Sequence, residues 1–374
     1  MKNSKLIAVL LFLLLSVCVF SQTSTPLPTP PPLPVEDKEI IKIESRLIVV
    51  PVSVTDGNGL PVKGLDKEHF RVFEENKPQE IAEIADAKKI PLEIAILFDI
   101  SATTNPMFEF EQETAAKFLK DVMRPEDHAT IFTIGNRPLL IQKRNVAYRS
   151  IETIKNLRPS KQFTAFYDTV SAAAKYLQLN APAKSRKVIL AITDGEDTNS
   201  IGVKRAFSKV YLDLGKQINT LTRKKYRETL VKKRNEIRNS EQRKTLLNLQ
   251  NADTVFYSLN PAGSSFNLNK VSKFGQTNMQ RFADETGGTA FLPEFLPIDL
   301  KSDFQNSANL KQNNLMLNRI FNQLKNELQA QYLVQYYSNN EFPVNRFVNV
   351  KIDVNLNLPQ GKTVRARQGY FVKK

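Results

Sequence analysis

Apolar runs separated by polar turns define three regions with different patterns along the chain. In residues 40–87, short strand-like runs such as residues 47–50 alternate with turn signals such as Asp56-Gly57-Asn58-Gly59, which predicts a small β segment. From Leu92 onward, apolar strand-like runs alternate with stretches of helical periodicity. From Gln331 the pattern is again one of strands and turns. The β segments at the two ends of the chain are therefore expected to pair into one β domain.

The middle region has the pattern of an α/β fold. Residues 92–98 and 187–193 are mostly apolar, as expected for central strands that helices cover on both faces. Regular alternation of such strands with helices predicts a doubly wound, mostly parallel sheet. The remaining predicted elements are strands at 129–134, 139–142, 254–257 and 289–292, with helices after Pro106 and at 151–157 and 165–179.

The first residues have the pattern of a secretory signal peptide. Lys2 and Lys5 precede an apolar run at residues 6–20, which is shorter than the about 20 apolar residues of a membrane-spanning helix. Cleavage after Ser21 is predicted, so we expect a protein that is exported to the periplasm, the cell envelope or the medium. An uncleaved membrane anchor is the alternative.

Lipidation at Cys18 is a further alternative for the N-terminus. It is disfavoured because Val17 stands where lipidation sites usually have a small residue. After the signal peptide, the proline-rich residues 22–38 are predicted to form a semi-rigid linker. The predicted organisation is a signal peptide (1–21), the linker (22–38), an N-terminal β segment (39–89), an α/β domain (90–330) and a C-terminal β segment (331–374).

Composition excludes several kinds of chemistry. The chain has 374 residues, of which 41% are hydrophobic and 24% charged, as in an ordinary globular protein. Cys18 is its one cysteine, so removal of the signal peptide leaves a chain without disulfides or thiol catalysis. With His69 and His128 as the two histidines, a zinc site built on several imidazoles is also excluded.

The positive charge is concentrated in one segment. The chain has a formal net charge of +15, and residues 203–250 contain 14 lysines and arginines against 4 acidic residues. This segment is longer than a strand crossover needs, and its apolar spacing predicts a helical insertion. It is either a solvated helical face or a docking arm for an acidic partner, an anionic polysaccharide or lipid headgroups. Export and the scarcity of aromatic residues there disfavour nucleic acid.

Oxygen-bearing side chains follow two of the predicted central strands. Asp99, Ser101 and Thr103 come directly after the strand at 92–98, and Asp194 comes after the strand at 187–193. Thr164 lies in a loop that leads into a helix, where its hydroxyl is either a helix N-cap or a ligand. The carboxyl ends of parallel strands meet at one edge of a sheet, where ligands bind. Oxygen donors in this arrangement are suited to a hard divalent cation.

Two further acidic residues lie near these loops in the sequence. Asp168 is expected in the first turn of a helix, where the helix dipole favours a negative charge. Asp197 is expected either to accept hydrogen bonds beside the site or to be exposed. Neither is predicted to contact the ion directly.

The pattern Asp-x-Ser-x-Thr, followed by a later Thr and a later Asp-Gly, resembles the metal-ion-dependent adhesion site of von Willebrand factor type A domains. Residues 64–74, 77–81, 286–291 and 365–371 resemble parts of exported bacterial proteins related to that family. The resemblance implies a Mg²⁺ or Mn²⁺ ion and a protein partner that offers an acidic side chain to it. The implied metal-site residues are Asp99, Ser101, Thr103, Thr164 and Asp194.

Two residues depart from the family pattern. Thr103 replaces the usual second serine, which keeps the hydroxyl and adds a methyl group, and Ala102 replaces a common glycine. Both changes bear on the affinity of the site. The sequence therefore predicts a binding, adhesion or scaffolding protein rather than an enzyme. One alternative is a metal-free structural envelope protein. The other is a metal-dependent phosphohydrolase, which is disfavoured because Ser101 stands where such an enzyme has its second carboxylate.

Overall fold

The computed structural model describes residues 46–101, 106–160, 162–216, 221–260, 270–297, 301–357 and 361–373. The predicted signal peptide, the predicted linker and Thr103 lie outside these residues. Within the described part of the chain, no helix is long and apolar enough to cross a membrane.

A six-stranded sheet forms the centre of the molecule, with the strand order β10-β9-β8-β5-β6-β7. All neighbouring pairs are parallel except β6 and β7, so that β7 is an antiparallel edge strand. The strands are β5 (Leu92–Asp99), β6 (His128–Ile134), β7 (Leu139–Asn145), β8 (Arg186–Ile192), β9 (Thr254–Leu259) and β10 (Ala290–Phe291).

Helices cover both faces of this sheet. One face packs against α1 (Pro106–Val122), α2 (Ala147–Lys155) and α7 (Asp303–Gln329). The other face packs against α3 (Phe166–Asn180), α4 (Ile201–Gly215), α5 (Arg223–Asn251) and α6 (Lys270–Thr286). Because β5 pairs with a strand on each side and lies under helices on each face, residues 92–98 are all buried. The prediction of a doubly wound, mostly parallel sheet is confirmed.

Two four-stranded antiparallel sheets pack together as a β domain. Their strand orders are β13-β1-β11-β4 and β14-β12-β2-β3, with one shared apolar core. Each sheet joins strands from both ends of the chain, so the predicted pairing of the terminal segments is confirmed. The strands are β1 (Arg46–Asp56), β2 (Phe70–Glu74), β3 (Lys77–Gln79), β4 (Ile81–Asp86), β11 (Tyr332–Ser338), β12 (Phe347–Val354), β13 (Lys362–Ala366) and β14 (Gly369–Phe371).

The basic segment folds as an antiparallel helical hairpin of α4 and α5. The guanidinium of Arg234 lies 5.7 Å from the ring centre of Phe207, and Gly202 lies against the carboxylate of Glu241. The half of α5 nearest the linker between the two helices has no buried residue up to Ile237, whereas its last two turns contribute Leu246 and Leu249 to the core. The hairpin therefore projects from the α/β domain.

Two local predictions are corrected. The turn predicted at residues 75–78 is confined to Glu75 and Asn76, which have φ values of 47° and 64°. Lys77 and Pro78 then belong to β3, an edge strand in which the missing N–H of proline is tolerated. The strand predicted at 289–292 is reduced to Ala290 and Phe291.

Candidate metal site

The loops that follow β5 and β8 meet at the carboxyl edge of the central sheet. One oxygen of the Asp99 carboxylate accepts a hydrogen bond from the Thr193 hydroxyl at 2.7 Å. The other accepts from the backbone N–H of Ser101 at 2.9 Å. Since β5 and β8 are paired up to Phe98 and Ile192, the two loops leave the sheet side by side. Asp99, Ser101 and Asp194 are all half-buried at this edge, and they remain partly accessible.

Thr164 belongs to a third loop that is bonded to the loop after β8. Its hydroxyl lies 3.2 Å from the hydroxyl of Thr198, and its backbone N–H donates to the same Thr198 oxygen at 3.1 Å. Its carbonyl oxygen accepts from the N–H groups of Thr198 and Asn199 at 2.9 and 2.8 Å. The N-cap of α3 is Ala165, so the Thr164 hydroxyl does not cap this helix.

A close backbone approach fixes the loop after β8. Gly195 has a φ of +74°, and a Cβ added there would lie 2.6 Å from the carbonyl oxygen of Gly275 in α6. A Cβ on Gly275 would in turn lie 2.6 Å from the carbonyl oxygen of Asp194. Glycine is needed at both positions because any side chain would collide with backbone. Helix α6 therefore sets where the Asp194 loop lies.

Asp197 and Asp168 connect the starts of two helices. Asp197 is buried and accepts from the backbone N–H of Tyr167 at 2.9 Å, which satisfies a free donor in the first turn of α3. It also accepts from the Ser200 hydroxyl at 2.5 Å. Asp168 lies in the first turn of α3, as predicted, and accepts from the N–H of Ile201 at the start of α4 at 2.8 Å. Both carboxylates act in the framework behind the site.

Negative charge is unfavourable at the site. Burial raises the pKa of Asp194 to about 7, and the charges of Asp99 and Glu196 add to this effect. Burial likewise raises the pKa of Asp99, with a further contribution from Glu196, while hydrogen bonds from Ser101 and Thr193 oppose it. Within the described residues, no lysine, arginine or histidine lies within ion-pair distance of either Asp99 or Asp194. A cation between the two carboxylates would therefore be stabilising.

Glu111 is a further carboxylate that the sequence analysis missed. It lies in α1, is buried, and has a pKa raised to about 8 by burial and by the charge of Asp99. It comes twelve residues after Asp99 in the sequence, within a helix whose other described buried residues are apolar or neutral. A charged residue on the inward face of an amphipathic helix is the signal that points to it.

The structure thus brings together most of the predicted site. Asp99, Ser101 and Asp194 share one edge, and Thr164 is bonded to Thr198 in the loop after β8 rather than directly to any of these three among the described residues. Thr103 lies outside those residues. The sequence analysis assigned no role to Thr193, Thr198 or Glu196, which the structure places beside the predicted ligands.

The donor set fits a hard divalent ion. It consists of two carboxylates and two hydroxyls, which are oxygen ligands of the kind that Mg²⁺ accepts together with several waters. A metal site without hydroxyl ligands would need at least three His, Cys, Asp or Glu side chains close together. Within the described residues, no such group exists. Any metal bound here therefore depends on serine and threonine oxygens, and the assignment of these residues as ligands stays a prediction.

Comparisons with solved structures return proteins of low sequence identity to this chain. An aerotolerance-related membrane protein from Bacteroides fragilis is 15% identical with a TM-score of 0.33, over 61% of this chain and 99% of its own. A conserved hypothetical protein, BatB, from Bacteroides thetaiotaomicron is 13% identical with a TM-score of 0.32 over the same shares. Proximal thread matrix protein 1 from the mussel byssus, solved with a zinc-occupied adhesion motif, is 13% identical with a TM-score of 0.39, over 68% of this chain and 50% of its own.

No protein-family model matches the chain. No curated protein matches it either. Similarities at these identities and TM-scores carry no argument about this chain, so the fold is described from its own topology. The open six-stranded sheet with one antiparallel edge, helices on both faces and polar side chains at its carboxyl edge has the doubly wound, von Willebrand A-like arrangement that the sequence predicts. The chain combines this domain with a β domain built from both terminal segments.

Proposed function

We propose that this is an exported binding protein, used in adhesion or scaffolding, whose site holds a divalent cation that bridges to an acidic side chain of a protein partner. The observation that carries the proposal is the contact of three loops at one sheet edge, centred on the hydrogen bond between Asp99 and Thr193. Asp99, Ser101, Thr164 and Asp194 would hold the ion, together with Thr103. Mg²⁺ or Mn²⁺ would supply a positive charge to balance these carboxylates.

Binding is favoured over catalysis by the chemistry of the loop after β5. If Asp99 were the first residue of a metal-dependent phosphohydrolase motif, a second carboxylate would be needed two residues later for proton transfer. Ser101 occupies that position instead. Glu111 is buried in α1 and is less accessible than the site loops. Export is supported by the basic and apolar pattern of the first residues.

The proposal is tested by calorimetric titration of the purified protein with Mg²⁺ and Mn²⁺. We expect one weak site per chain, and we expect Thr164→Ala to lose about 10–100-fold in affinity, as is typical when a group that holds or orients a ligand is removed. Thr164→Ser keeps the hydroxyl and should bind metal like the wild type. For the carboxylate, Asp99→Ala should abolish binding, whereas Asp121→Ala, an exposed aspartate on α1, should leave it unchanged.

Equal metal binding by the wild type and Asp99→Ala would remove the assignment of the site. The bridging step is then tested by the binding of proteins from an envelope extract to the immobilised chain, with Mg²⁺ and with EDTA. Metal binding without any Mg²⁺-dependent capture would leave the ion in place and contradict the bridge to an acidic partner. Capture that persists in EDTA would instead favour a metal-free structural role.

A further inference from the structure

A second site is suggested by a cleft at the opposite edge of the central sheet. The cleft has a volume of about 550 Å³ and lies where β1 and β11 of the β domain face the starts of β8 and β9. Parallel strands begin at this edge and end at the edge that carries Asp99, so the cleft is separate from the candidate metal site. Small-molecule sites usually have volumes of about 300–1,000 Å³ and often lie where domains meet.

Positive charge dominates the lining of the cleft. Asp253 is the acidic residue there, and it is held by Arg367 at 3.0 Å and by Lys373. These cations and Lys187 keep the pKa of Asp253 below its ordinary value although burial works against them. The basic residues that line the cleft are Arg46, Lys184, Arg186, Lys187, Arg367 and Lys373.

Four of these cations form no direct ion pair within the described part of the chain. Among the described residues, no carboxylate lies within ion-pair distance of Arg46, Lys184, Arg186 or Lys187. Burial lowers the pKa of Lys187, the charge of Asp253 opposes this, and the charges of Lys373 and Arg367 lower the pKa further. Gathering like charges in a partly buried space is unfavourable unless an anion compensates them.

Hydrogen-bond donors along the same lining are also unsatisfied. Gln331 is 4% exposed, and its amide nitrogen has no hydrogen-bond partner among the described residues. The ε nitrogens of Arg186 and Arg367 are also buried without a hydrogen-bond partner among the described residues. Buried donors without partners are rare in proteins, and a bound molecule or ion is a common explanation.

The rest of the lining is apolar and incompletely buried. Leu47 is 45% exposed, and Val49, Ile90 and Phe371 are half-buried beside it. Apolar side chains that remain accessible within a concave site gain stability when an apolar ligand covers them. The cleft therefore joins a cationic region to an apolar one.

We propose that this cleft binds an anionic amphiphile, a small molecule with one carboxylate or phosphate group and an apolar chain. The anionic group lies against Lys184 and Lys187, which have no carboxylate within ion-pair distance among the described residues. The apolar chain covers Leu47, Val49 and Ile90. The proposal does not depend on the metal site, and it gives the region between the two domains a ligand of its own.

The test is calorimetric titration with amphiphiles that share one chain and differ in the headgroup, at concentrations too low for micelles. We expect decanoate and decyl phosphate to bind one molecule per chain, with the same affinity in EDTA as in Mg²⁺. Decanol and decyltrimethylammonium should not bind. Inorganic phosphate, which lacks the apolar chain, should bind at least about tenfold more weakly than decyl phosphate, because each buried methylene adds to affinity.

Paired variants locate the site. Lys184→Gln combined with Lys187→Gln should weaken decanoate binding by about tenfold or more, since both remove charged hydrogen-bond donors. The matched control is Lys204→Gln combined with Lys209→Gln, which makes the same charge change on exposed positions of α4 and should leave binding unchanged. If the first pair fails to fold, the exposed Lys184→Gln alone should still weaken binding.

Three results would overturn the proposal. The first is equal binding of decyltrimethylammonium, which would show that the positive lining does not select the ligand. The second is undiminished decanoate binding by both the double variant and Lys184→Gln. The third is inorganic phosphate binding as tightly as decyl phosphate, which would show that the apolar wall contributes nothing.

Discussion

The acidic side chains at the carboxyl edge of the central sheet differ in how deeply they are buried. Asp99 and Asp194 are half-buried and partly accessible, whereas Asp197 lies behind them and is 6% exposed. Asp197 replaces solvent for Tyr167 and Ser200 by accepting their hydrogen bonds. When the hydrogen-bond donors to a buried carboxylate are neutral, burial raises its pKa and the hydrogen bonds lower it. The balance of these two effects decides its ionisation.

Asp197 gives a prediction about stability and pH. Burial raises its pKa from 3.8 to about 6 in the folded protein. The folded state therefore holds this proton more tightly than the unfolded state. Its contribution to the free energy of unfolding is complete below about pH 4 and is lost as the pH rises to about 6. Asp197→Asn has no titrating carboxylate at this position. The difference in the free energy of unfolding between the wild type and this variant should therefore shrink by about 2–3 kcal/mol across this window.

Urea unfolding at several pH values between 4 and 7 measures this difference. The matched control is Asp121→Asn, an exposed aspartate, whose difference from the wild type should stay constant over the same range. A constant difference for Asp197→Asn as well would show that the carboxylate titrates at its ordinary pKa. It would then not be the buried acceptor that the structure describes.

Helix α5 combines two different environments in one element. Near its C-terminal end, Gln242 donates to Asn278 at 2.8 Å and accepts from Arg281 at 2.8 Å, which ties α5 to α6. Its N-terminal half is exposed and rich in lysine and arginine. Only the first environment contributes to the core. The contact of the exposed half with an anionic surface or an acidic partner stays a prediction.

Shortening the hairpin tests this division of α5. Replacing residues 209–230 by a short Gly/Ser linker removes one buried residue among those that the structure describes, Leu214, and leaves the contacts of Gln242 intact. The α/β domain should then keep a single cooperative thermal transition, because few buried contacts are lost. As the contrasting variant, Gln242→Ala removes the donor to the Asn278 side-chain oxygen and the acceptor of one Arg281 nitrogen, and it should cost about 1–3 kcal/mol. Loss of the transition on shortening would mean that the distal hairpin is part of the core.

At the scale of the whole molecule, one buried carboxylate joins the two ends of the chain. Glu74 at the end of β2 is fully buried and accepts from the hydroxyls of Tyr336 and Tyr370 at 3.0 and 2.8 Å. It also accepts from Ser338 and Asn340 at 2.9 and 2.8 Å. These donors come from the C-terminal segment, so Glu74 connects both sheets of the β domain. A buried carboxylate needs several donors of this kind to remain in the core.

Glu74→Ala should therefore destabilise the β domain strongly. The substitution leaves two tyrosine hydroxyls and a serine hydroxyl buried without an acceptor, and it opens a cavity. We expect a loss of about 3–5 kcal/mol in the free energy of unfolding, measured by chemical denaturation. Glu68→Ala, at an exposed position in the same segment, should change stability by less than about 0.5 kcal/mol. Equal stability of the two variants would contradict the role assigned to Glu74.

The sequence by itself determined the elements whose signals are local. Residues 92–98 are mostly apolar because they lie between two strands and two helical layers, and that composition is visible without the fold. Asp99 and Asp194 could be predicted as metal-site residues because each directly follows a predicted apolar strand. Helix α7 was missed, although Leu317, Phe321, Leu324 and Leu328 have helical spacing and are buried on one face.

Tertiary structure decided everything that depends on which distant segments meet. The hydrogen bond between Thr193 and Asp99 joins residues 94 positions apart, and Glu74 meets donors 262–296 positions away. The cleft is likewise assembled from the start of β1, the start of β8 and the last residues of the chain. Periodicity and turn chemistry act over a few residues, whereas burial, charge repulsion and hydrogen-bond satisfaction act through space. The sequence could therefore predict the donor atoms of the candidate metal site, and only the folded chain decided their neighbours and formed the cleft.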